Sequence, residues 1–555
     1  MPLSLRPLLA ALRTLSAARS AMLVFATLVV VYLGGAARTG ATAGLTADAT
    51  ASSFLPAVLL QHGRLHFSAE TTPALFRFEE LQAGAWQPQA VMSLGDAADP
   101  QSARARQAAG RLRLVGPGYN LRPTRLPGLF VGTHGIGAGL SALPFYAPLR
   151  LWDAQALAQP ARVYLAGRVA AALLTALSAV VLLLAARVLV GPGTALLAAL
   201  IFGLATGACT TSAQALWQHG PAALYLALAC LYLLRAARAR DAGSTDGATR
   251  DDGATRDSLL CGAAAAAAIA CRPTLAVLAI GALWALGSTR QRGAFLLGGL
   301  PIGLALAVYN TYYLGSPFSS GQYAVGAEVA LAKTGDAALW RWPFEGAAGL
   351  LLSPNRGLLV FSPVLLAGLW GALRALQGRA LGDAPAATHT ARALRALALI
   401  AAAQWLLAFC WFDWWGGSCY GPRPLLDSVP LLVLLLAPTL PRLAGLSRWT
   451  KLALALALCW SLVVQAAGTL APAPLRWNNR LWGLWVKTAD GALVLARRRA
   501  QVDELRARGG QIQGEERRNI DLPEHRARLW DPADSHILDC LRQVFPGRGA
   551  GGREP

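Results

Sequence analysis

Eleven apolar runs punctuate this chain, most of them close to the ~20 residues that an α-helix needs to cross a bilayer. They lie at about 21–36, 163–189, 193–208, 221–235, 258–271, 273–288, 294–313, 347–374, 393–411, 425–441 and 450–471. Alanine and leucine dominate them, and none shows the short alternating pattern of a barrel strand. The 555 residues are 55% hydrophobic, too apolar for a soluble multidomain protein and too long for a single anchor. The expectation is an all-α polytopic membrane protein with about eleven transmembrane helices.

Charge placement orients the thread. Arg6, Arg13 and Arg19 precede the first run, which reads either as a secretory signal or as a first membrane helix. The basic flank fits a cytoplasmic start, so an uncleaved helix is the reading adopted. Threading onward puts Arg235–Arg256, Arg290–Arg292, Arg374–Arg395 and Arg442–Lys451 on the cytoplasmic side, as the positive-inside rule demands. The expected organisation is a cytoplasmic N-terminus and first helix (1–36), a first periplasmic loop (37–160), a transmembrane core (161–471) and a C-terminal periplasmic tail (472–555). The location it implies is a bacterial inner membrane.

The formal charge of +21 does not argue for nucleic acid, because the basic residues flank apolar runs, where membrane lipids account for them. The eight cysteines have no metal-ligand spacing. Within the first loop, Phe54, Leu55, Val58, Leu59 and Leu60 form a helical stripe, and Gly139–Trp152 is apolar but broken by Pro144 and Pro148. Both read as helices lying on the membrane. Residues 68–128 between them read as irregular. The tandem Asp-Gly-Ala-Thr-Arg-Asp at 246–251 and 252–257 has nothing to bury and reads as disordered, and 495–508 reads as a charged helix.

One polar stretch stands out: Trp411-Phe-Asp-Trp-Trp-Gly-Gly-Ser-Cys-Tyr-Gly-Pro-Arg423-Pro-Leu-Leu-Asp427. Its glycines free the backbone to turn, and Pro422 leaves Arg423 at the membrane surface. The same threading brings Asp48, His134, Trp217-Gln-His219, Tyr309-Asn310 and Ser353-Pro-Asn-Arg356-Gly357 to that side. Ionisable groups at membrane depth are functional candidates by default. Each has a plainer alternative: the tryptophans as an interfacial belt, His219 as a turn cap, Arg356 as a snorkelling cation, Tyr309 and Asn310 as helix-packing groups.

The chain resembles the GT-C superfamily of integral-membrane glycosyltransferases, in particular bacterial relatives of the dolichyl-phosphate-mannose-protein mannosyltransferases. The likeness rests on Thr46-Ala-Asp48 soon after the first helix, Gly135-Ile-Gly-Ala-Gly-Leu-Ser-Ala-Leu-Pro-Phe-Tyr146, Leu216-Trp-Gln-His-Gly-Pro221, Leu352-Ser-Pro-Asn-Arg-Gly-Leu358 and Trp415-Gly-Gly-Ser-Cys-Tyr-Gly-Pro-Arg423, and covers about 1–475. It implies inverting transfer of a sugar from a polyprenyl-phosphate donor to a lipid or glycan acceptor at the periplasmic face. Asp48 would be the general base, and Arg423, Arg356 and His219 would hold the donor phosphate. Trp414, Trp415, His134 and Asp427 would contact sugar or acceptor. No cofactor or metal is implied. Asp48 lacks the acidic neighbour common in that family, which leaves Glu70, Glu79, Glu80, Asp96 and Asp99 as alternative bases. Rival readings are a membrane transporter or lipid flippase, disfavoured by the lack of repeats and of a midplane acid, and a non-catalytic membrane scaffold.

Overall fold

Apolar sequence of bilayer length becomes helix here. The computed structural model describes residues 16–95, 101–118, 120–242, 247–324, 326–379, 381, 388–497 and 499–546. Among them, eight helices are long and apolar enough to cross a membrane: Ala17–Thr39, Pro160–Arg187, His219–Asp241, Asp251–Cys271, Thr289–Leu314, His389–Cys410, Arg423–Arg442 and Arg448–Leu470. This suggests a multi-pass membrane protein. Three further apolar helices, Pro192–Leu204, Pro273–Ala285 and Pro363–Leu376, are shorter. At 1.5 Å per residue, a helix of their length falls short of the ~30 Å hydrocarbon core. Proline opens each of them, since it suits the first helical turn and breaks the one before it.

Small sheets sit beside the helices, so the all-α expectation is corrected to a mostly helical fold. The segment read as irregular, 68–128, contains an antiparallel sheet of order β2-β1-β3, with β1 Phe76–Gln82, β2 Ala85–Gln89 and β3 Leu112–Pro117, and a β4-β5 pair, Leu121–Pro123 with Phe130–Gly132. In β1, Phe76, Phe78 and Glu80 point inward at every second residue, a period-2 signal that turn-forming residues around it obscured.

The helix Ala47–His62 is also corrected. Phe54, Leu55 and Val58 do not rest on lipid but are buried in a core with Phe67, Leu75, Phe76, Phe78 and Tyr146. The helix Gly137–Trp152 packs on it, and the Tyr146 hydroxyl lies 2.9 Å from the Ser53 carbonyl oxygen and 3.0 Å from that of Val163. Residues 47–152 therefore include a small folded body packed on the helix Pro160–Arg187.

The polar repeat is helical in its second copy, within Gly247–Cys271. Arg290 bridges Asp251 and Asp252 at 3.0 and 2.7 Å, and Arg235 meets Asp257 at 3.2 Å. Ion pairs with two neighbouring helices thus order residues that have no apolar face of their own.

The tail forms an antiparallel sheet of order β7-β6-β8, with β6 Asn479–Lys487, β7 Leu493–Ala496 and β8 Gln511–Asn519. A helix at Arg499–Ala507 lies within the charged stretch expected to be helical. The basic flank at Arg6 and Arg13, and the alternative bases Asp96 and Asp99, lie outside the described residues.

Candidate functional site

Helix ends bring the site together. The helices Ala17–Thr39, Gly247–Cys271 and His389–Cys410 finish, and His219–Asp241 starts, next to segments that line one open cavity. The run 411–427 supplies much of the wall. Its backbone turns where the left-handed region is required, at Gly416 (φ +74°), Gly417 (φ +63°) and Gly421 (φ +73°). Those turns carry the chain past Arg423 into the buried helix Val429–Leu436.

Asp48 lies in the first turn of Ala47–His62. Its Oδ2 accepts a hydrogen bond from Arg423 Nη1 at 2.5 Å, and its Oδ1 stands 3.6 Å from His134 Nε2. The Arg423 guanidinium lies over the Trp217 ring at 4.5 Å, which fixes its plane while leaving N–H groups on its edge. Burial pushes the Asp48 carboxyl up. The Arg423 charge and the nearby His134 outweigh that and hold it well below the usual carboxylate range.

A second cluster shares the cavity. Asp427 Oδ1 accepts from His219 Nδ1 at 2.9 Å, and its Oδ2 pairs with Arg272 Nε. Arg272 Nη1 reaches His219 Nε2 at 3.3 Å. A guanidinium only donates, so His219 Nε2 accepts and its proton sits on Nδ1, toward Asp427. His219 is thereby held as a neutral ring between an acid and a base.

Among the described residues, several that line the cavity carry buried polar atoms with no hydrogen-bond partner: Gln218 Oε1, both amide atoms of Gln404, Thr133 Oγ1 and both ring nitrogens of His134. Buried polar atoms left this way are costly. Trp340, Trp405 and Trp411 supply flat apolar surface. Gln322, Gly326 and Val329, from the segment between the helices Thr289–Leu314 and Pro343–Leu352, line the cavity as well. Just beyond them Lys333 Nζ meets Asp413 at 2.6 Å and Asp521 of the tail at 3.0 Å.

Of the residues expected in the site, Asp48, His134, His219, Arg423 and Asp427 line this cavity together. Arg356 does not, and it does not snorkel. It is fully buried, and its guanidinium donates to the carbonyls of Trp415 (2.8 Å), Asn355 (2.8 Å) and Gly417 (3.3 Å), to Asn478 Oδ1, and to His536 Nδ1 (3.2 Å). With its donors taken by protein, it is a clamp between the site loop and the tail.

Trp414 and Trp415 are also outside the cavity. Both are buried, donating to Glu345 (3.0 Å) and Asp521 (2.9 Å), and Arg526 covers the Trp415 ring at 4.3 Å. The tail occupies the faces they were expected to offer to sugar. Tyr309 and Asn310 do not line the cavity either; Asn310 Nδ2 donates to Pro317 O at 3.1 Å.

Sequence reasoning missed Arg272, Gln404, Trp405 and Trp340. Arg272 had a signal, as a lone cation between two apolar runs and directly before Pro273. Gln404 had one as well, as a polar residue inside an apolar run.

No protein-family model matches this chain, and no curated protein matches it.

Proposed function

We propose that the protein is an inverting glycosyltransferase, moving a sugar from a polyprenyl-phosphate donor to an envelope acceptor at the periplasmic face of a bacterial inner membrane. The reading keeps the cytoplasmic start and counts the three shorter apolar helices, with the turns that flank them, as crossings alongside the eight long ones. The observation that carries it is the meeting of Asp48 and Arg423, 375 positions apart in sequence, in one cavity at the ends of apolar helices.

Arginine suits the leaving group, because its fork offers two parallel donors to phosphate oxygens and keeps its charge. Asp48 engages one nitrogen of Arg423 and aims the rest. As the anomeric carbon–phosphate bond breaks, its electron pair goes to the lipid phosphate, where Arg423 stabilises the developing charge. The acceptor hydroxyl attacks from the opposite face and gives up its proton on the Asp48–His134 side. Trp340, Trp405 and Trp411 offer the flat surfaces on which sugar rings and isoprenoid chains pack.

The test uses purified full-length protein in nanodiscs with a panel of radiolabelled undecaprenyl-phosphate hexoses and pentoses. Release of undecaprenyl phosphate, with a product of inverted anomeric configuration, is expected. Passage of intact donor across a liposome bilayer without cleavage would move the assignment to a flippase. Silence in both assays would leave the scaffold reading.

A further inference from the structure

Two like charges face each other across the tail sheet. In the antiparallel pairing of β6 with β8, Arg480 stands directly opposite Arg518. Both side chains therefore leave the sheet on one face, an arrangement that is destabilising unless something offsets it. Beside them the register shifts between Leu481 and Gly483, which leaves Trp482 as an extra residue in β6. A bulge of this kind re-aims its side chain. Here the Trp482 ring centre lies 3.2 Å from the guanidinium carbon of Arg518 and 5.3 Å from that of Arg497, the residue after β7. All three strands thus bring an arginine to one place.

The acidic residues around this cluster are already engaged. Asp534 takes Arg528 Nε at 2.6 Å and the Trp477 indole N–H at 2.9 Å, and it stands 3.6 Å from Arg480. Glu515 pairs with Arg517 at 2.7 Å, and Glu516, two residues along β8 from Arg518, accepts from Trp485 Nε1 at 3.0 Å. Among the described residues, the side chains of Arg497 and Arg518 make neither an ion pair nor a hydrogen bond. Burial, then the charge of Arg528, with Arg497 and Arg480 adding to it and Asp534 opposing, lowers the proton affinity of the Arg518 guanidinium. An aromatic ring holds a guanidinium by its face and leaves the donors on its edge free. The tail sheet therefore presents two forks of N–H donors without an acceptor.

We propose that Arg497 and Arg518, steadied by Trp482, form a binding site for a phosphomonoester on the tail sheet. None of the three lines the cavity described above, and the site does not rest on the transferase reading. A carboxylate has two oxygens, and a single guanidinium fork uses both. A phosphomonoester brings three strong acceptor oxygens and close to two negative charges at neutral pH. It can meet two forks at once and offset the Arg480 charge beside them. The same group arrives either on a soluble ester or on a lipid headgroup, and the experiment separates these sources.

Full-length protein in phosphatidylcholine nanodiscs is titrated with sn-glycerol 3-phosphate by calorimetry, and its melting temperature is followed as phosphatidic acid is added to the nanodisc lipid. Wild type is expected to bind glycerol 3-phosphate saturably, which assigns a soluble ester, or to melt higher with phosphatidic acid alone, which assigns a lipid. Arg497→Gln and Arg518→Gln should each weaken that response by about 10- to 100-fold in affinity, the worth of one charge-assisted hydrogen bond. Arg518→Lys keeps the charge but not the fork. It should lose less than Arg518→Gln, and it tests the fork even where a glutamine variant fails to fold. Acetate at the same concentration should not displace the phosphate probe. No response to either probe, a response that the arginine variants keep in full, or equal displacement by acetate overturns the site.

Discussion

Arg423 Nη1 donates to Asp48 Oδ2 at 2.5 Å, joining the loop before one buried helix to the first turn of the helix Ala47–His62. Neither side chain is more than a quarter exposed, so each is the other's principal counter-charge. The pair ties donor chemistry to the folding of two distant segments.

Removing either partner should therefore affect both activity and stability. Asp48→Asn leaves a buried guanidinium without its counter-charge, which typically costs about 3–5 kcal/mol. The variant is expected to melt lower and to lose at least about 10²-fold in turnover. Arg423→Lys keeps the charge but loses the fork, and should raise donor KM more than it lowers the melting temperature. Melting scans and donor titrations on the same preparations check both.

The pH dependence of this pair follows from the direction of the Asp48 shift. Burial opposes ionisation, but Arg423 and His134 more than offset it and depress the folded-state pKa. A depressed carboxylate contributes stability above its unfolded pKa of about 3.9 and loses it as pH falls toward the folded value. The melting difference between wild type and Asp48→Asn should be constant from pH 6 to 9 and shrink only below about pH 4.

Arg272 pairs with Asp427 and reaches His219, and it lines the cavity that also holds Arg423. Arg272→Gln is expected to weaken donor binding by about 10- to 100-fold, the worth of one charge-assisted hydrogen bond. Its effect on kcat should be smaller than its effect on binding. A donor titration with the non-reacting analogue undecaprenyl phosphate separates the two.

Arg356 has the opposite profile. Its donors are spent on Trp415, Asn355, Gly417, Asn478 and His536, so Arg356→Lys cannot reproduce the network. Destabilisation of about 1.5–3 kcal/mol or more is expected, the worth of a hydrogen bond to a charged group, with donor KM in the surviving folded protein close to wild type. Unchanged melting with a raised KM would return Arg356 to the binding site.

His536 makes tail docking sensitive to acid. Burial, and then the Arg356 charge, hold its pKa well below the ordinary histidine value. Nε2–H donates to the Pro474 carbonyl at 2.7 Å while Nδ1 accepts from Arg356, and the ring stacks on Trp477 at 4.8 Å. The folded state thus keeps His536 neutral while the unfolded state binds a proton below about pH 6.5. Its contribution is complete above that pH and falls by about 1.4 kcal/mol per unit below it. Protection of the tail amides against hydrogen exchange, taken relative to the intrinsic rate at each pH, should fall between pH 6.5 and 5, and less so in His536→Gln.

Much of this protein is written in one dimension. Runs of apolar residues near bilayer length become helices because every backbone polar group must be satisfied within the segment, and eight long and three shorter apolar helices stand where those runs lie. The glycines of the 411–427 loop, and the conjunction of Asp48, His134, His219, Arg423 and Asp427, could likewise be read along the chain, since ionisable groups among apolar sequence demand partners. Which of the unusual residues face the cavity could not. Arg356, Trp414 and Trp415 carry the same local signature as Arg423 and Trp411, and they differ only in that the tail packs over them. That distinction depends on contacts between segments far apart in sequence, and no local pattern encodes whether a guanidinium meets a carbonyl, a carboxylate or a ligand.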